Sequence, residues 1–268
     1  MTVELTVQQA QRLLLPVGAV AIDSIVRVES INDVFKVVTR GHGIFFVKFH
    51  TARWYSDQPD TFFVVNRECA VPELLRKRGL ALPYRAWGEF TRGVVGRSVF
   101  VCEALEGAAV PDAVREYPNE AGEILFAFGR YMRRLHDIEF SLPGLIEPAH
   151  AYFADGVGRI PPVAAWPFSS DPAGEDQASA LKQVASARDQ GAITEAVAGA
   201  LMHLFSSMGE RLRGGYVPPR FTVGNCHAHH FHMARSESGW RVLGFYDFEG
   251  CRAGNPLMDL VGVEDTLV

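Results

Sequence analysis

The sequence predicts an α+β protein of two lobes, a small antiparallel sheet with one helix followed by a mainly helical part. Three observations carry this. Short runs of β-branched and aromatic residues fill Ile22 to Phe49, a helical pattern from Asn66 to Arg78 separates them from further extended runs, and strong helical periodicity then sets in from Glu120 to His136. The character shifts after Glu106-Gly107, and with Glu103 to Gly107 as the link an N-terminal lobe is placed at 1–103 and a C-terminal lobe at 104–268.

In chain order, Val7 to Leu15 has apolar residues at helical spacing behind a possible Thr6 cap, and Pro16 and Gly18 end the pattern. Val26 to Val28, Val34 to Val38 and Ile44 to Lys48 read as strands, the last two joined by a Gly41-His42-Gly43 hairpin turn. Asn66 to Arg78 offers Cys69, Val71, Leu74 and Leu75 to one helix face, with Gly79 as terminator. An extended segment around Trp87 and the apolar run Val99 to Cys102 complete the first part. In the second, Ile124, Leu125, Phe128, Met132 and Leu135 recur at helical intervals. Residues 140–176, rich in Pro, Gly and Ala, predict an irregular connection; Glu195 to Leu212 predicts a helix; Phe221 to Val223 and Val242 to Tyr246 predict a strand-turn-strand unit.

The formal net charge of -5 offers no general attraction for nucleic acid or an anionic membrane surface. Cys69, Cys102, Cys226 and Cys251 are scattered and lack the close pairs of a zinc knuckle or redox motif, so reduced thiols are expected. No apolar run approaches the roughly 20 residues of a membrane helix, and the N-terminus lacks a signal-peptide pattern. A cytoplasmic protein that binds neither nucleic acid nor membrane is expected.

Several residues could carry phosphoryl transfer, which needs a lysine on the phosphates, a carboxylate to hold it and oxygen ligands for Mg²⁺. Lys48 ends an apolar strand, where a buried ammonium needs an anionic partner; Glu68 on the next helix can supply it, or both side chains can simply be solvated. The segment Ser30-Ile31-Asn32-Asp33 can offer backbone amides to phosphates or form an ordinary polar turn. Asp247 emerges from a buried strand, placed either to ligate a metal or to accept turn hydrogen bonds. His227, His229, His230 and His232 form an unusual cluster: a transition-metal site is one reading, a histidine base another. Asp259 is expected to accept hydrogen bonds from the catalytic segment.

The order of these segments resembles the aminoglycoside phosphotransferase and choline kinase-like family, which has a bilobal protein kinase-like fold. The resemblance spans Ser30 to Asp259. It rests on Lys48 with Asn66-Arg67-Glu68, the segment Phe100 to Gly107, the Leu135-His136 helix end, the loop Val223 to His230, and Gly244-Phe245-Tyr246-Asp247-Phe248-Glu249 with Gly254 to Leu260 after it.

The resemblance implies an ATP-dependent phosphotransferase using Mg²⁺ or Mn²⁺. Asn32, Lys48, Glu68, Glu103 and Leu105 would contact the nucleotide, Asp247 and His230 the metal, and Asn225, His227 and His229 the reacting groups. The acceptor would be a hydroxyl of a small molecule or of Ser/Thr in a peptide, since related proteins stand beside peptide natural-product pathways. The loop departs from the family's His-Gly-Asp, four residues, Asn: Val223 replaces the His, Asn225 the Asp and His230 the Asn. An amide cannot take a proton at neutral pH. A pseudokinase that holds a peptide or partner is therefore the alternative. The chain also ends soon after Asp259, where the family usually continues through helix, so a partner protein completing the acceptor site is a further expectation.

Overall fold

The computed structural model describes residues 4–18, 21–50, 62–80, 82–91, 93–141, 143–146, 171–214, 218–260 and 263. The chain divides into two compact units. One is built from Met1–Tyr131 and His227–Gly250, the other from Met132–Cys226 and Cys251–Thr266.

The elements in chain order are α1 (Val7–Leu13), β1 (Ile22–Val28), β2 (Asp33–Thr39), β3 (Gly43–Phe49), α2 (Phe62–Lys77), β4 (Ala86–Glu89), β5 (Val99–Glu103), β6 (Ala108–Ala109), α3 (Val110–Glu116) and α4 (Ala121–His136). There follow β7 (Gly144–Leu145), α5 (Pro172–Asp189), α6 (Glu195–Ser207), α7 (Gly209–Gly214), β8 (Arg220–Thr222), β9 (Phe231–Ser236), β10 (Gly239–Phe245) and β11 (Arg252–Gly254).

In the first unit, α1 starts on a capping box: Thr6 Oγ1 accepts from Gln9 N–H at 3.2 Å, and Gln9 Oε1 accepts from Thr6 N–H at 3.0 Å. The main sheet is antiparallel in the order β1-β2-β3-β5-β4. Period-two alternation gives it two faces. Phe35 and Val37 of β2, Phe45, Val47 and Phe49 of β3, and Val99 and Val101 of β5 form one core with Leu5, Ala10, Leu13 and Leu14. Burying each such side chain contributes about 1.5–3 kcal/mol. The alternate residues of β3, Phe46 and Lys48, point to the other face, which is how an apolar strand presents a lysine.

The predicted end of α2 is a Schellman motif: Leu80 N–H donates to Leu75 C=O at 3.1 Å and Gly79 N–H to Arg76 C=O at 2.9 Å, with Gly79 at φ 74°. Pro72 lies inside this helix and supplies no N–H to the carbonyl one turn back, that of Glu68. A second sheet of this unit has the order β10-β9-β6.

In the second unit, Asp171 caps α5 by accepting from Gly174 N–H at 3.1 Å, and Thr194 caps α6 by accepting from Val197 N–H at 3.3 Å. A small sheet has the order β7-β11-β8.

Three sequence expectations need correction. Phe221 to Val223 and Val242 to Tyr246 are not partners: β8 and β10 belong to different sheets, and β10 pairs with β9 across a tight turn at Gly239, φ 101°. The expected helix from Glu195 to Leu212 is two helices, α6 ending at the Met208 cap and α7 starting at Gly209. Of the expected irregular stretch 140–176, residues 147–170 lie outside the described residues, and α5 already begins at Pro172, a favoured first helical residue.

Candidate functional site

Lys48 lies at the centre of the first unit's polar cluster. Its Nζ is 2.9 Å from Glu68 Oε1, 2.5 Å from Asp247 Oδ1 and 2.9 Å from Glu249 Oε2, so its three N–H donors meet three carboxylates. Burial alone would lower the lysine pKa, but Glu68, Asp247 and Glu249 together outweigh it and hold the pKa well above its ordinary value. The predicted Lys48–Glu68 pair is present, and it is buried rather than solvated.

Two further buried side chains join this cluster. His50, two residues beyond Lys48 on the same face, places Nε2 3.1 Å from Glu68 Oε2 and Nδ1 3.0 Å from Glu249 Oε2. Arg67, 1% exposed, donates from Nη1 to the backbone carbonyl of Glu249. Lys48, His50 and Arg67 thus stand with Glu68, Asp247 and Glu249. Balanced charge is what allows six ionisable groups to share a largely buried region, because an unpaired one would cost several kcal/mol.

Asp247 lies two residues past the end of β10 and has φ 70°, the one positive φ among the described non-glycine residues. Aspartate tolerates this left-handed conformation better than most residues. The turn of chain there is anchored by Phe248, 1% exposed, and carries Glu249 into the cluster. Asn32 is also buried, and its amide donates to Glu249 Oε2 at 3.2 Å. The Ser30–Asp33 segment therefore contributes a side chain to the cluster as well as backbone.

The segment between β5 and β6 holds Glu103 and Leu105. Glu103 accepts from Arg85 N–H and Nε, both at 2.7 Å; burial would raise its pKa, but the Arg85 bonds bring it below the ordinary value. Leu105 N–H donates to the hydroxyl of Tyr246, so this backbone donor is engaged by the residue beside Asp247.

The histidines pack ring on ring. His227 and His229 stack with centroids 5.2 Å apart and 12° between planes, and His230 meets His229 edge-on at 4.3 Å. His230 Nε2 is 4.0 Å from Asp247 Oδ2, while its Nδ1 is buried and has no hydrogen-bond partner among the described residues. Burial, with His229 and His227 adding to it against Asp247, lowers the His230 pKa to about 4. Burial first and His227 second also lower that of His229, which is exposed. Both rings are therefore neutral at pH 7. Among the described residues the only ligand atoms that converge closely enough for a metal are those of His50, Glu68 and Glu249, which does not support a four-histidine zinc site.

In the second unit, Asp259 accepts from Val223 N–H at 2.9 Å and from Gly224 N–H at 3.0 Å, and its Oδ2 is 3.0 Å from His136 Nε2. This fixes the backbone immediately before Asn225, as the sequence led us to expect of Asp259. Reading the sequence did not single out His50, Arg67 or Glu249 as members of the cluster. A charged residue two places from Lys48 on the same strand face, and another two places after Asp247, were the available clues.

Among the described residues no helix is long and apolar enough to cross a membrane. The family model described as "Phosphotransferase enzyme family" matches residues 24–264. A search of curated protein sequences finds no match. The GDP complex of aminoglycoside 2'-phosphotransferase-IIIa superposes with a TM-score of 0.62 at 14% identity, covering 96% of this chain and 77% of that one. The streptomycin and ATP complex of APH(2")-IIa gives 0.53 at 14%, covering 97% and 75%. An ethanolamine kinase of Plasmodium vivax gives 0.52 at 11%, covering 90% and 59%. These likenesses establish a protein kinase-like α+β fold.

Proposed function

The chain belongs to the phosphotransferase enzyme family, and from that premise we propose that it transfers the γ-phosphoryl group of ATP to a hydroxyl of a small molecule or of Ser/Thr in a peptide. The observation that carries this is the buried lysine with three carboxylates around it, at 2.9, 2.5 and 2.9 Å. A lysine so held is protonated and fixed in place, ready to exchange one carboxylate for a phosphate oxygen.

The donor set fits a divalent cation. Mg²⁺ is typically bound through one or two carboxylates plus substrate phosphates, and Asp247 supplies such a carboxylate. His230, neutral with Nε2 4.0 Å from Asp247 Oδ2, adds a nitrogen that Mn²⁺ accepts more readily than Mg²⁺. A bound cation would neutralise phosphate charge. Asn32 and Lys48 would face the phosphates, Glu68 would hold Lys48, and the 103–105 segment would face the base of the nucleotide.

Asn225 stands where the family's loop carries an aspartate, and its amide cannot take a hydroxyl proton. His229 is the better base than His227: it is exposed, and its lowered pKa leaves a lone pair free at neutral pH. The hydroxyl oxygen forms a bond to the γ-phosphorus, the bond to the β-phosphate bridging oxygen breaks, the hydroxyl proton passes to His229, and ADP leaves. Because the transition state is loose, positioning and charge carry most of the acceleration, and a weak base suffices.

A second reading, a pseudokinase that holds a peptide or a partner protein at the same site, is favoured by one observation besides Asn225. Tyr246 already occupies the Leu105 N–H, a donor a nucleotide base would otherwise use. Calorimetry with ATP, alone and with Mg²⁺ or Mn²⁺, on the wild type and Asp247→Ala separates the readings. Cation-dependent binding that Asp247→Ala abolishes supports the phosphotransferase. No nucleotide affinity under any condition overturns it.

A further inference from the structure

We propose that His50 is a positioning residue for the phosphate-facing lysine: as an imidazolium it bridges Glu68 and Glu249 and holds both carboxylates in place around Lys48. The inference rests on the reading of Lys48 given above, and it assigns work to a residue that the phosphotransfer scheme leaves unused.

Geometry carries the proposal. His50 is 2% exposed, and both ring nitrogens lie close to carboxylate oxygens: Nε2 is 3.1 Å from Glu68 Oε2 in a hydrogen bond, and Nδ1 is 3.0 Å from Glu249 Oε2 in an ion-pair contact that is not aligned as a hydrogen bond. A neutral imidazole has one N–H, so it would set one nitrogen lone pair against a carboxylate; the imidazolium turns an N–H toward each. Lys48 takes the other oxygen of Glu68, Oε1, while on Glu249 it shares Oε2 with His50 and Asn32. His50 therefore stands behind the two glutamates that flank Lys48. Without it each glutamate could rotate, and Lys48 would lose its fixed direction.

The charged groups around the ring are Lys48 on its own strand, Arg67 and Glu68 from α2, and Glu249 with Asp247 from the segment after β10. Burial and Lys48 oppose protonation of His50, whereas the Glu68 and Glu249 carboxylates beside the ring favour it, and the balance lies above the ordinary histidine value.

A divalent transition metal on His50, Glu68 and Glu249 is the competing occupant, since their ligand atoms lie within 4.8 Å of one another. Glu249 Oε2 already meets Lys48, His50 and Asn32, which leaves it poorly placed to bind an ion as well.

Nitrogen-15 NMR of the wild-type chain at pH 7.5, with His50→Gln used for assignment, reads the ring directly. Both nitrogens of His50 are expected to be protonated. A single protonated nitrogen, or one mole of zinc or manganese per chain that His50→Gln removes, overturns the proposal. MgATP calorimetry then tests the positioning role. His50→Gln should weaken binding at least tenfold, and His50→Gly, which opens a ring-sized cavity, should recover affinity with millimolar imidazole. Affinity within twofold of wild type in His50→Gln, with only the melting temperature lowered, would make the residue merely structural. Should neither variant fold, the wild-type affinity followed upward from pH 7 decides: it should fall where the ring signals show the proton lost, and an affinity unchanged across that loss overturns the proposal. If wild type binds no nucleotide, the reading of Lys48 fails, while the ring measurement still decides whether His50 is the bridging cation.

Discussion

Lys48 Nζ and Asp247 Oδ1 lie 2.5 Å apart although 199 positions separate them in sequence. The lysine reaches this point because it is the polar alternate of an apolar strand, and the aspartate because a left-handed turn re-aims the chain as β10 ends. Their contact is an ionic bond that a nucleotide-bound cation would have to exchange for bonds of its own.

Removing the lysine should therefore cost more stability than removing a surface charge. Lys48→Met leaves Glu68, Asp247 and Glu249 facing one another, and breaking a buried pair from one side costs about 3–5 kcal/mol. Urea unfolding of Lys48→Met should show a loss of this size at pH 7, and the double variant with Asp247→Asn should recover part of it. A loss under about 1 kcal/mol, the scale of an exposed pair, would contradict the buried geometry.

The same cluster sets a pH dependence with two arms. Burial would raise the Glu249 pKa, but His50 and Lys48 reverse this and hold it far below the carboxylate range. A depressed folded pKa stabilises above the unfolded value, so this contribution is lost as pH falls below about 4.3. His50 is raised in the folded chain, so its contribution is full below about 6.5 and is lost as pH rises through its folded value. Melting temperature in metal-free buffer should thus fall toward acid and decline again above neutrality. Glu249→Gln should flatten the acid arm, and an acid arm of unchanged steepness would argue against the assignment.

In the second unit, Asp259→Ala removes the acceptor for Val223 and Gly224 N–H and the partner of His136. Leaving buried donors unsatisfied costs about 1–3 kcal/mol each, so a total loss of about 2–6 kcal/mol is expected in urea unfolding. Hydrogen exchange at Val223 and Gly224 should accelerate more than in β8 if the aspartate is what holds this loop; uniform acceleration would point to global destabilisation alone.

These predictions separate what the sequence carried from what it did not. Lys48, Glu68 and Asp247 were readable because each breaks its own local pattern, a charge at the end of an apolar strand or helix face. Asp259 was readable through the order of segments around it. Glu249 and Arg67 were not, because their meeting joins positions 182 residues apart and no local periodicity reports it. His50 was not singled out, because it lies just past the apolar run that drew attention to Lys48. The β9–β10 hairpin was missed although Phe231 and Met233 alternate about His232, because that stretch was read for its histidines rather than for its period of two. The α6–α7 break was hidden because Met208 and Gly209 interrupt a helical pattern that continues on both sides.

Gly107 tests the link between β5 and β6. Its φ is 84°, and a Cβ there would stand 2.1 Å from the backbone carbonyl oxygen of Met233. Neither the backbone conformation nor the neighbouring strand can yield easily, so Gly107→Ala should destabilise by about 2–4 kcal/mol. Gly122 has open space at its Cβ position and a negative φ on α4, so Gly122→Ala should be neutral or stabilising by about 0.5–1 kcal/mol. Equal effects of the two changes in thermal unfolding would refute the close approach at Met233.

Asn225→Asp tests the chemistry. A carboxylate there can take the proton that the amide cannot, and a positioned base typically contributes about 10²–10⁴-fold. Steady-state ATP hydrolysis, with water as acceptor, should rise by at least about tenfold in this variant. His229→Ala should lower the wild-type rate, because the imidazole is then the available base, yet change the Asn225→Asp rate little. If both single changes leave hydrolysis untouched while ATP still binds, proton removal is not what limits the reaction, and the roles given to Asn225 and His229 fail together. If Asn225→Asp alone raises the rate and His229→Ala has no effect in either background, Asn225 keeps its place beside the acceptor and His229 loses its role as the base.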